Sequence, residues 1–192
     1  MKICVYGGAS TRIDNKYIDA TVELGEKMAK RGHDLVFGAG GTGLMGAIAK
    51  GVSDGGGKVT GVIPKFFLEN NVEIVSEHCN DVIYTETMRE RKQKMEDLSD
   101  AFIMTPGGIG TFEEFFEILT LKQLGRLNKP IVIFDYNNYY VELLDMMEHS
   151  IEKQFINSIC RSLYAVFNNA DDVIDFIEND KGNKYTIQEL KN

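Results

Sequence analysis

Short apolar runs alternate along the chain with longer stretches in which apolar residues recur every three or four positions. The short runs are typical of buried strands, and the longer stretches are typical of amphipathic helices. Strands are predicted at residues 2–6, 35–37, 59–63, 101–104, 131–134 and 163–167, with weaker predictions at 72–75 and 82–84. Helices are predicted at residues 16–30, 44–52, 88–98 and 139–147, from the segment 106–114 to about 124, and from a cap at 168 or 169 to about 178.

This order of elements predicts an α/β fold of the Rossmann-like type, with a predominantly parallel sheet and helices on both faces. We expect a single domain over residues 1–180, followed by a detachable polar tail over 181–192. Ligands of such sheets bind at the carboxyl ends of the strands, where the strand order reverses. Three glycine-rich turns, at 7–10, 38–43 and 106–110, follow predicted strands, so they are expected to converge there.

Composition and charge narrow the class of protein. Of the 192 residues, 43% are hydrophobic and 26% are charged, which is ordinary for a globular domain. The net charge of −8 argues against a nucleic-acid partner, because phosphate neutralisation needs clustered Lys and Arg. The three cysteines are odd in number and lack the spacing of metal ligands, so we expect free thiols and no metal site. Since no stretch could span a bilayer, the expectation is a cytoplasmic protein with no membrane partner.

The segment 106–114, Pro-Gly-Gly-Ile-Gly-Thr-Phe-Glu-Glu, is the first candidate site. A strand, a turn with three glycines and a helix start form a common phosphate site, because backbone N–H groups and the helix dipole attract anions. Here the helix start also carries a hydroxyl, Thr111, and two carboxylates, Glu113 and Glu114. A carboxylate beside a phosphate is unfavourable unless the chemistry requires it, so the turn is a candidate active site.

Glu114 also has a structural interpretation. With Thr111 as N-cap, Glu114 occupies the third helical position and the pair matches a capping box. Glu113 points about 100° away and is expected to be solvated. Both interpretations of Glu114, catalytic and capping, stay open at this point.

The segment 88–95 is the second candidate site. Met88, Arg91, Lys92 and Met95 fall on one helical face, so two cations share a face that is otherwise apolar. One interpretation is that the long Arg and Lys stems extend to a solvated edge. The other is that both cations meet an anion beside Glu114, because this helix directly precedes the strand that leads to the glycine turn.

The turn at 41–46, Gly-Thr-Gly-Leu-Met-Gly, matches the dinucleotide pattern G-x-G-x-x-G. However, it lies in the second strand-to-helix turn, and residues 62–65 contain no acid that could bind a ribose. We therefore favour glycines that allow close helix–sheet packing, with some phosphate contact, over a dehydrogenase.

Taken together, these segments resemble the Lonely Guy (LOG) family of cytokinin riboside 5′-monophosphate phosphoribohydrolases. The segment 106–114 is similar to the family motif PGGxGTxxE, and Met88-x-x-Arg91-Lys92 is similar to its second motif, 23 residues before Glu114 when counted from Arg91. Residues 38–46 and 61–64 also look like family segments, and the likeness runs from about residue 2 to 178. In the opening turn Ala9 stands where many members have serine, which removes a hydroxyl near the expected ligand.

The resemblance implies hydrolysis of the N-glycosidic bond of an adenosine-type 5′-monophosphate, to free base and ribose 5-phosphate. It implies that Glu114 stabilises the cationic transition state and activates water, while Arg91 keeps Glu114 ionised and positions the substrate. It further implies a homodimer with no cofactor and with a small-molecule nucleotide as the partner. The implied substrate-binding residues are Ser10, Met88, Lys92, Gly107, Gly108, Gly110 and Thr111.

Two further functions are weighed against this one. A non-catalytic carrier of nucleotides or of the molybdenum cofactor could use the same fold, although a carrier needs neither Arg91 nor Glu114. Lysine decarboxylation, a name attached to some relatives, lacks support, because no glycine-rich pyridoxal phosphate cup with its Schiff-base lysine is recognisable.

Overall fold

Seven parallel strands form one sheet in a computed structural model that describes residues 1–70, 72–182 and 185–191. The strands are β1 Lys2–Tyr6, β2 Asp34–Phe37, β3 Val59–Pro64, β4 Asp81–Thr85, β5 Ala101–Met104, β6 Ile131–Phe134 and β7 Ala165–Phe167. Their order in the sheet is β4-β3-β2-β1-β5-β6-β7. The weak prediction at 82–84 is therefore confirmed as the edge strand β4.

Helices cover both faces of this sheet, as predicted for the Rossmann-like fold. They are α1 Asn15–Lys30, α2 Gly43–Asp54, α3 Lys65–Glu69, α4 Met88–Leu98, α5 Ile109–Gln123, α6 Val141–Glu152, α7 Ala170–Asn179 and α8 Ile187–Lys191, with 3₁₀ turns at Tyr136–Asn138 and Ser158–Leu163. Helices α1, α2 and α7 pack on one face, and α4, α5 and α6 pack on the other. Among these helices none is long and apolar enough to cross a membrane.

The strands are continuously apolar because each of their faces meets a helical layer. In β5 all four residues are buried. Ile103 packs in the cluster with α1, α2 and α7, whereas Phe102 and Met104 pack in the cluster with α4, α5 and α6. Alternate side chains of a strand point to opposite faces, so a strand buried on both sides reads as an unbroken apolar run.

The strand order reverses at β1, and this reversal places the three glycine turns side by side. From β1 the chain moves outward through β2, β3 and β4, and then crosses to β5 on the other side of β1. The Leu44 N–H donates to the Gly8 carbonyl (2.7 Å), and the Gly8 N–H donates to the Pro106 carbonyl (3.0 Å). The predicted convergence of the turns at the carboxyl ends of the strands is confirmed.

The strand predicted at 72–75 is wrong. Val75 forms one isolated antiparallel bridge to Gly40, and the neighbouring backbone bonds run from the Gly41 N–H to the Ile74 carbonyl and from the Ser76 N–H to Ala39, each 2.8 Å long. Because β4 pairs with residues 60–64 of β3, this segment does not extend the sheet beside β3. It folds instead over the turn that follows β2.

The segment after Asp180, expected to be detachable, packs on the domain where the structure describes it. Leu190 of α8 is fully buried, and its carbonyl accepts a bond from Gln123 Nε2 (3.3 Å). Asn157 Nδ2 donates to the Glu189 carbonyl (3.1 Å). Residues 183, 184 and 192 of this tail lie outside the described residues. A buried leucine thus joins the tail to α5.

Candidate active site

A cleft of about 410 Å³ lies over the carboxyl ends of the central strands. Its walls are the turns after β1 and β5, helices α4 and α5, and the segment between α3 and β4. Of the residues predicted to form the site, the cleft brings together Ser10, Met88, Arg91, Gly108, Gly110, Thr111 and Glu114. The switch point of the sheet therefore carries most of the predicted site.

The turn after β5 is open toward this cleft. Helix α5 begins at Ile109 with Gly108 as its N-cap, and its first intrahelical bond runs from the Phe112 N–H to the Gly108 carbonyl (3.0 Å). The N–H groups of Ile109, Gly110 and Thr111 precede that bond, so the helix leaves them for another acceptor. A Cβ placed on Gly108 or Gly110 would meet no atom within 4 Å. The arrangement suits an anion at the positive end of the helix dipole.

Because α5 begins at Ile109, the capping interpretation of Glu114 is wrong. Thr111 is the third helical residue rather than the N-cap, and Glu114 is the sixth. A glutamate in the second turn cannot reach back to the N-cap backbone as a capping box requires. Glu114 remains one turn along from the open N–H groups and on the same side as Thr111.

Two tyrosines that the sequence analysis missed hold the glycine turn in place. The Tyr139 hydroxyl donates to the Gly107 carbonyl, and the Tyr140 hydroxyl donates to the Thr105 carbonyl, both over 2.7 Å. Gly107 itself lies behind the turn and not on the cleft, and a Cβ there would collide with the Thr111 side chain. These bonds fix the backbone that would receive an anion.

Arg91 is buried, so the interpretation of a solvated arginine is wrong. Its residue surface is 6% exposed. Its Nε donates to the Val62 carbonyl (3.1 Å), and its Nη2 donates to the Gly38 carbonyl (3.2 Å). A Cβ on Gly38 would collide with the guanidinium, so glycine is needed at that position for Arg91 to fit. A carbonyl within β3 and one just after β2 thus orient the arginine toward the cleft.

The remaining guanidinium nitrogen faces Glu114. Arg91 Nη1 lies 3.6 Å from Glu114 Oε1, and the Glu114 side chain is 12% exposed. Burial raises the pKa of Glu114 from its ordinary value of 4.5 to about 7, and Arg91 opposes this rise. A carboxylate with a pKa close to neutral can exchange a proton with substrate or water, which makes Glu114 a candidate acid–base group.

Lys92 turns away from the cleft. Its ammonium forms an ion pair with Glu113 and a second one with Glu117 (2.7 Å) on the outer side of α5. Glu113 is 53% exposed, as expected for the carboxylate that points away from Glu114. The structure therefore places Lys92 at the contact between α4 and α5, whereas Met88 lines the cleft as predicted.

Glu73 is a cleft residue that the sequence analysis missed. It lies in the segment between α3 and β4 and lines the cleft with Met45 and Phe67. Its Oε2 is buried without a hydrogen-bond partner among the described residues. Burial raises the pKa of Glu73, and Arg91 opposes the rise. No motif surrounds this glutamate in the sequence, and only the folding of 72–76 over the turn after β2 brings it to the site.

Glycines of the turn at 41–46 face packed backbone. A Cβ on Gly43 would lie 2.5 Å from the Gly8 carbonyl oxygen, and a Cβ on Gly46 would collide with the Gly41 carbonyl. The glycines of the dinucleotide-like pattern therefore allow close contact between backbones, which supports the packing interpretation. Within the described residues, no group of three or more His, Cys, Asp or Glu side chains is placed to hold a metal ion.

Comparison with known proteins relates the chain to a family of enzymes. The family model described as "Possible lysine decarboxylase" matches residues 45–177. The cytokinin riboside 5′-monophosphate phosphoribohydrolase LOG2 of Arabidopsis thaliana is 38% identical over 92% of this chain and 82% of its own length. LOG3 of the same plant, which carries the same enzyme name, is 37% identical over 92% and 81%.

Among solved structures, the molybdenum cofactor carrier protein of Chlamydomonas reinhardtii superimposes with a TM-score of 0.69. The alignment covers 92% of this chain and 95% of the carrier, at 20% sequence identity. At that identity the likeness shows a shared fold and nothing about ligand or activity.

Proposed function

The chain belongs to the LOG family of cytokinin riboside 5′-monophosphate phosphoribohydrolases, and from this membership we infer that it hydrolyses the N-glycosidic bond of adenosine-type 5′-monophosphates. The products are the free base and ribose 5-phosphate. The observation that carries this function is the buried Arg91–Glu114 pair one helical turn from an open glycine turn. A binding protein of this fold would need the glycine turn without the pair.

The 5′-phosphate is assigned to the start of α5. The N–H groups of residues 109–111 and the Thr111 hydroxyl can donate to its oxygens, and the helix dipole favours its charge. Glu114 lies three residues further along the helix, about 4.5 Å along its axis. That spacing supports a ribose bound between the phosphate site and the carboxylate, with C1′ near Glu114.

Glu114 and Arg91 are assigned to the chemistry at C1′. As the C1′–N bond breaks, positive charge develops on the ribose, and an ionised Glu114 stabilises it. Water adds to C1′ and gives its proton to Glu114. Arg91 contributes by keeping Glu114 ionised, since its guanidinium is held toward the carboxylate by two backbone carbonyls.

The base is assigned to the apolar end of the cleft. Met45, Phe67 and Met88 line this end, and the Phe67 ring lies 5.8 Å from the Arg91 guanidinium carbon. A flat, weakly polar purine fits such walls, whereas Ser10 on the opposite turn offers a hydroxyl. We assign Ser10 and Met88 to substrate contact, and we now assign Lys92 to holding α4 against α5.

The experiment that tests this function is incubation with AMP, prenylated AMP, GMP and CMP, with the released base measured by chromatography. We expect release from the adenine nucleotides and little from CMP. Equal turnover of all four would overturn the adenine assignment, and no release from any of them would overturn the activity.

The phosphate assignment has its own test. Adenosine should be a much poorer substrate than AMP in kcat as well as in KM, because lost binding of a remote group lowers transition-state stabilisation. Comparable rates on the nucleoside would leave the glycine turn without a role in binding.

We further propose a cytoplasmic homodimer that has no nucleic-acid partner. Ile109, at the mouth of the cleft, is 87% exposed, and an apolar side chain in that position supports a subunit contact close to the site. The charge of −8 supports the absence of a nucleic-acid surface. Sedimentation equilibrium tests the dimer, and a monomer at all concentrations would contradict it.

The carrier and decarboxylase alternatives draw less support. The likeness to a molybdenum cofactor carrier is one of fold alone. None of the described residues that line the cleft is a lysine that could form a Schiff base. Neither alternative gives a role to the buried Arg91–Glu114 pair.

A further inference from the structure

Glu73 places a second carboxylate in the cleft, and no described residue bonds to its buried oxygen. Its Oε2 is buried without a hydrogen bond among the described residues, although buried polar atoms in native proteins are paired in the great majority. A glutamine or an apolar residue would avoid the cost of burying this charge. A role in the chemistry of the cleft would explain why a carboxyl group occupies this position.

The two carboxylates enter the cleft from opposite sides. Glu114 follows β5, whereas Glu73 lies on the segment that folds over the turn after β2, and β1 separates these two strands in the sheet. Arg91 Nη1 lies 3.6 Å from Glu114, while Glu73 forms no ion pair with any described residue. Arg91 thus favours the ionised form of Glu114, whereas Glu73 is the carboxyl group that forms no such ion pair among the described residues.

The proposed reaction needs a proton donor that its other residues do not supply. When the C1′–N bond breaks, the electron pair stays on the base, which leaves easily only if a ring nitrogen is protonated. Glu114 accepts the proton of the attacking water. Two nitrogens of the Arg91 guanidinium already donate to backbone carbonyls, and the third faces Glu114.

We propose that Glu73 is the general acid of the reaction. Its carboxyl proton moves to a ring nitrogen of the base as the C1′–N bond breaks, while the water oxygen bonds to C1′ and one water proton moves to Glu114. Glu73 then regains a proton from solvent and Glu114 releases one, which restores both groups. Met45 and Phe67, beside Glu73, form the apolar end assigned to the base, so donor and base lie on the same side. This inference rests on the proposed function.

The charged groups around Glu73 agree with this role. Arg91 faces it from α4 and Glu114 faces it from α5, and the turn after β2 contributes Gly40 and no charge. Burial raises the pKa of Glu73, which favours the protonated form. Two carboxyl groups with different surroundings can divide the acid and base roles in one site.

The test compares two leaving groups in the variant Glu73→Gln. Adenine in AMP needs a proton to leave, whereas 4-nitrophenolate in 4-nitrophenyl β-D-ribofuranoside 5-phosphate does not. We expect Glu73→Gln to lose about 10²–10⁴ in kcat on AMP and to stay near wild type on the nitrophenyl compound. Glu114→Gln should lose activity on both. Equal losses of Glu73→Gln on both substrates would mean a binding role and would overturn the proposal.

The pH profile provides a second, independent measurement. Activity of the wild type on AMP should fall at alkaline pH as Glu73 loses its proton, and Glu73→Gln should lack that fall. An unchanged alkaline fall in the variant overturns the proposal. If the wild type releases no base from AMP, the proposed function itself is wrong. If a folded Glu73→Gln enzyme releases adenine at the normal rate, only the role of Glu73 is wrong.

Discussion

The turn after β2 and the turn after β5 resemble each other in sequence but differ in their surroundings. Each joins a buried strand to the first turn of a helix, and each contains several glycines. A Cβ on Gly43 or Gly46 in the first turn would meet neighbouring backbone atoms. A Cβ on Gly108 or Gly110 in the second would meet no atom within 4 Å. At these glycines the first turn is closed by packing, and the second is open to the cleft.

The difference shows that a glycine motif alone does not separate packing from binding. The space around each glycine separates them, because a glycine against backbone permits close packing, whereas a glycine facing open space permits close approach of a ligand. The open turn leads to Glu114 and its partner Arg91.

The largest effect we expect is from Glu114→Gln, which removes the carboxylate beside the open turn and keeps its shape. Loss of a group that stabilises the cation and accepts a proton should lower kcat on AMP by about 10²–10⁴. Base release at saturating AMP measures this. Binding of AMP, measured by calorimetry, should persist.

The melting temperature shows whether Glu114→Gln loses activity because it unfolds. Burial raises the pKa of Glu114 from 4.5 to about 7, so the native state keeps a proton that the unfolded chain loses. The stabilisation this gives is present below pH 4.5 and is lost as pH rises through 7. At pH 8 the amide should therefore melt at or above the wild-type temperature. Glu113→Gln, on the exposed side, should stay active at that pH, and a near-normal rate in Glu114→Gln would refute the assignment.

A smaller effect is expected from Gly110→Ala in the open turn. The new methyl group would meet no protein atom within 4 Å but would project where the phosphate is assigned. We expect KM for AMP to rise about ten- to a hundredfold, equivalent to about 1.4–2.8 kcal/mol. Alanine is a better helix residue than glycine, so the melting temperature should not fall.

Adenosine is the control substrate for Gly110→Ala. It carries no phosphate, so its slow hydrolysis should be the same in the variant and the wild type. An unchanged KM of Gly110→Ala for AMP would contradict the phosphate assignment and would mean that neither turn binds the substrate.

The same substitution in the closed turn should have the opposite result. In Gly46→Ala the methyl group would collide with the Gly41 carbonyl. We expect the free energy of unfolding in urea to fall by about 1–2 kcal/mol, since better helix propensity offsets part of the overpacking. KM of the folded enzyme should stay near wild type. A stable Gly46→Ala enzyme with a raised KM would mean that the turn after β2 also binds the substrate, so the two turns would not differ in function.

Local pattern was enough to predict most of the fold. The runs at 101–104 and 131–134 are wholly apolar between turn residues, and both are strands over the same residues in the structure. The prediction at 72–75 failed because β4 pairs with the edge of β3, and residues 74–76 bond instead to the turn after β2. Competition for an edge is not visible in a single segment.

The site could be predicted as far as its motifs extend. The resemblance to the two family motifs implied the pair of Arg91 and Glu114 that the structure brings together. The direction of Lys92 could not be predicted, because its partners Glu113 and Glu117 lie on another helix. Glu73 was missed for a related reason, since its place in the cleft depends on how a loop folds over a distant turn.

The smallest effect we expect is a shift of the acid limb of the pH profile in Glu113→Gln. The charge of Glu113 raises the pKa of Glu114, whereas Lys92 lowers it. Removing Glu113 abolishes the first influence and frees Lys92 from one of its two carboxylates. The acid limb of kcat/KM for AMP should therefore move to lower pH, by about half a unit, as suits a charge interaction below about 1 kcal/mol. Lys92→Met should move the limb to higher pH. The check is a pH profile of wild type, Glu113→Gln and Lys92→Met from about pH 5 to 9. If the three profiles coincide, Glu113 and Lys92 have no influence on the pKa of Glu114.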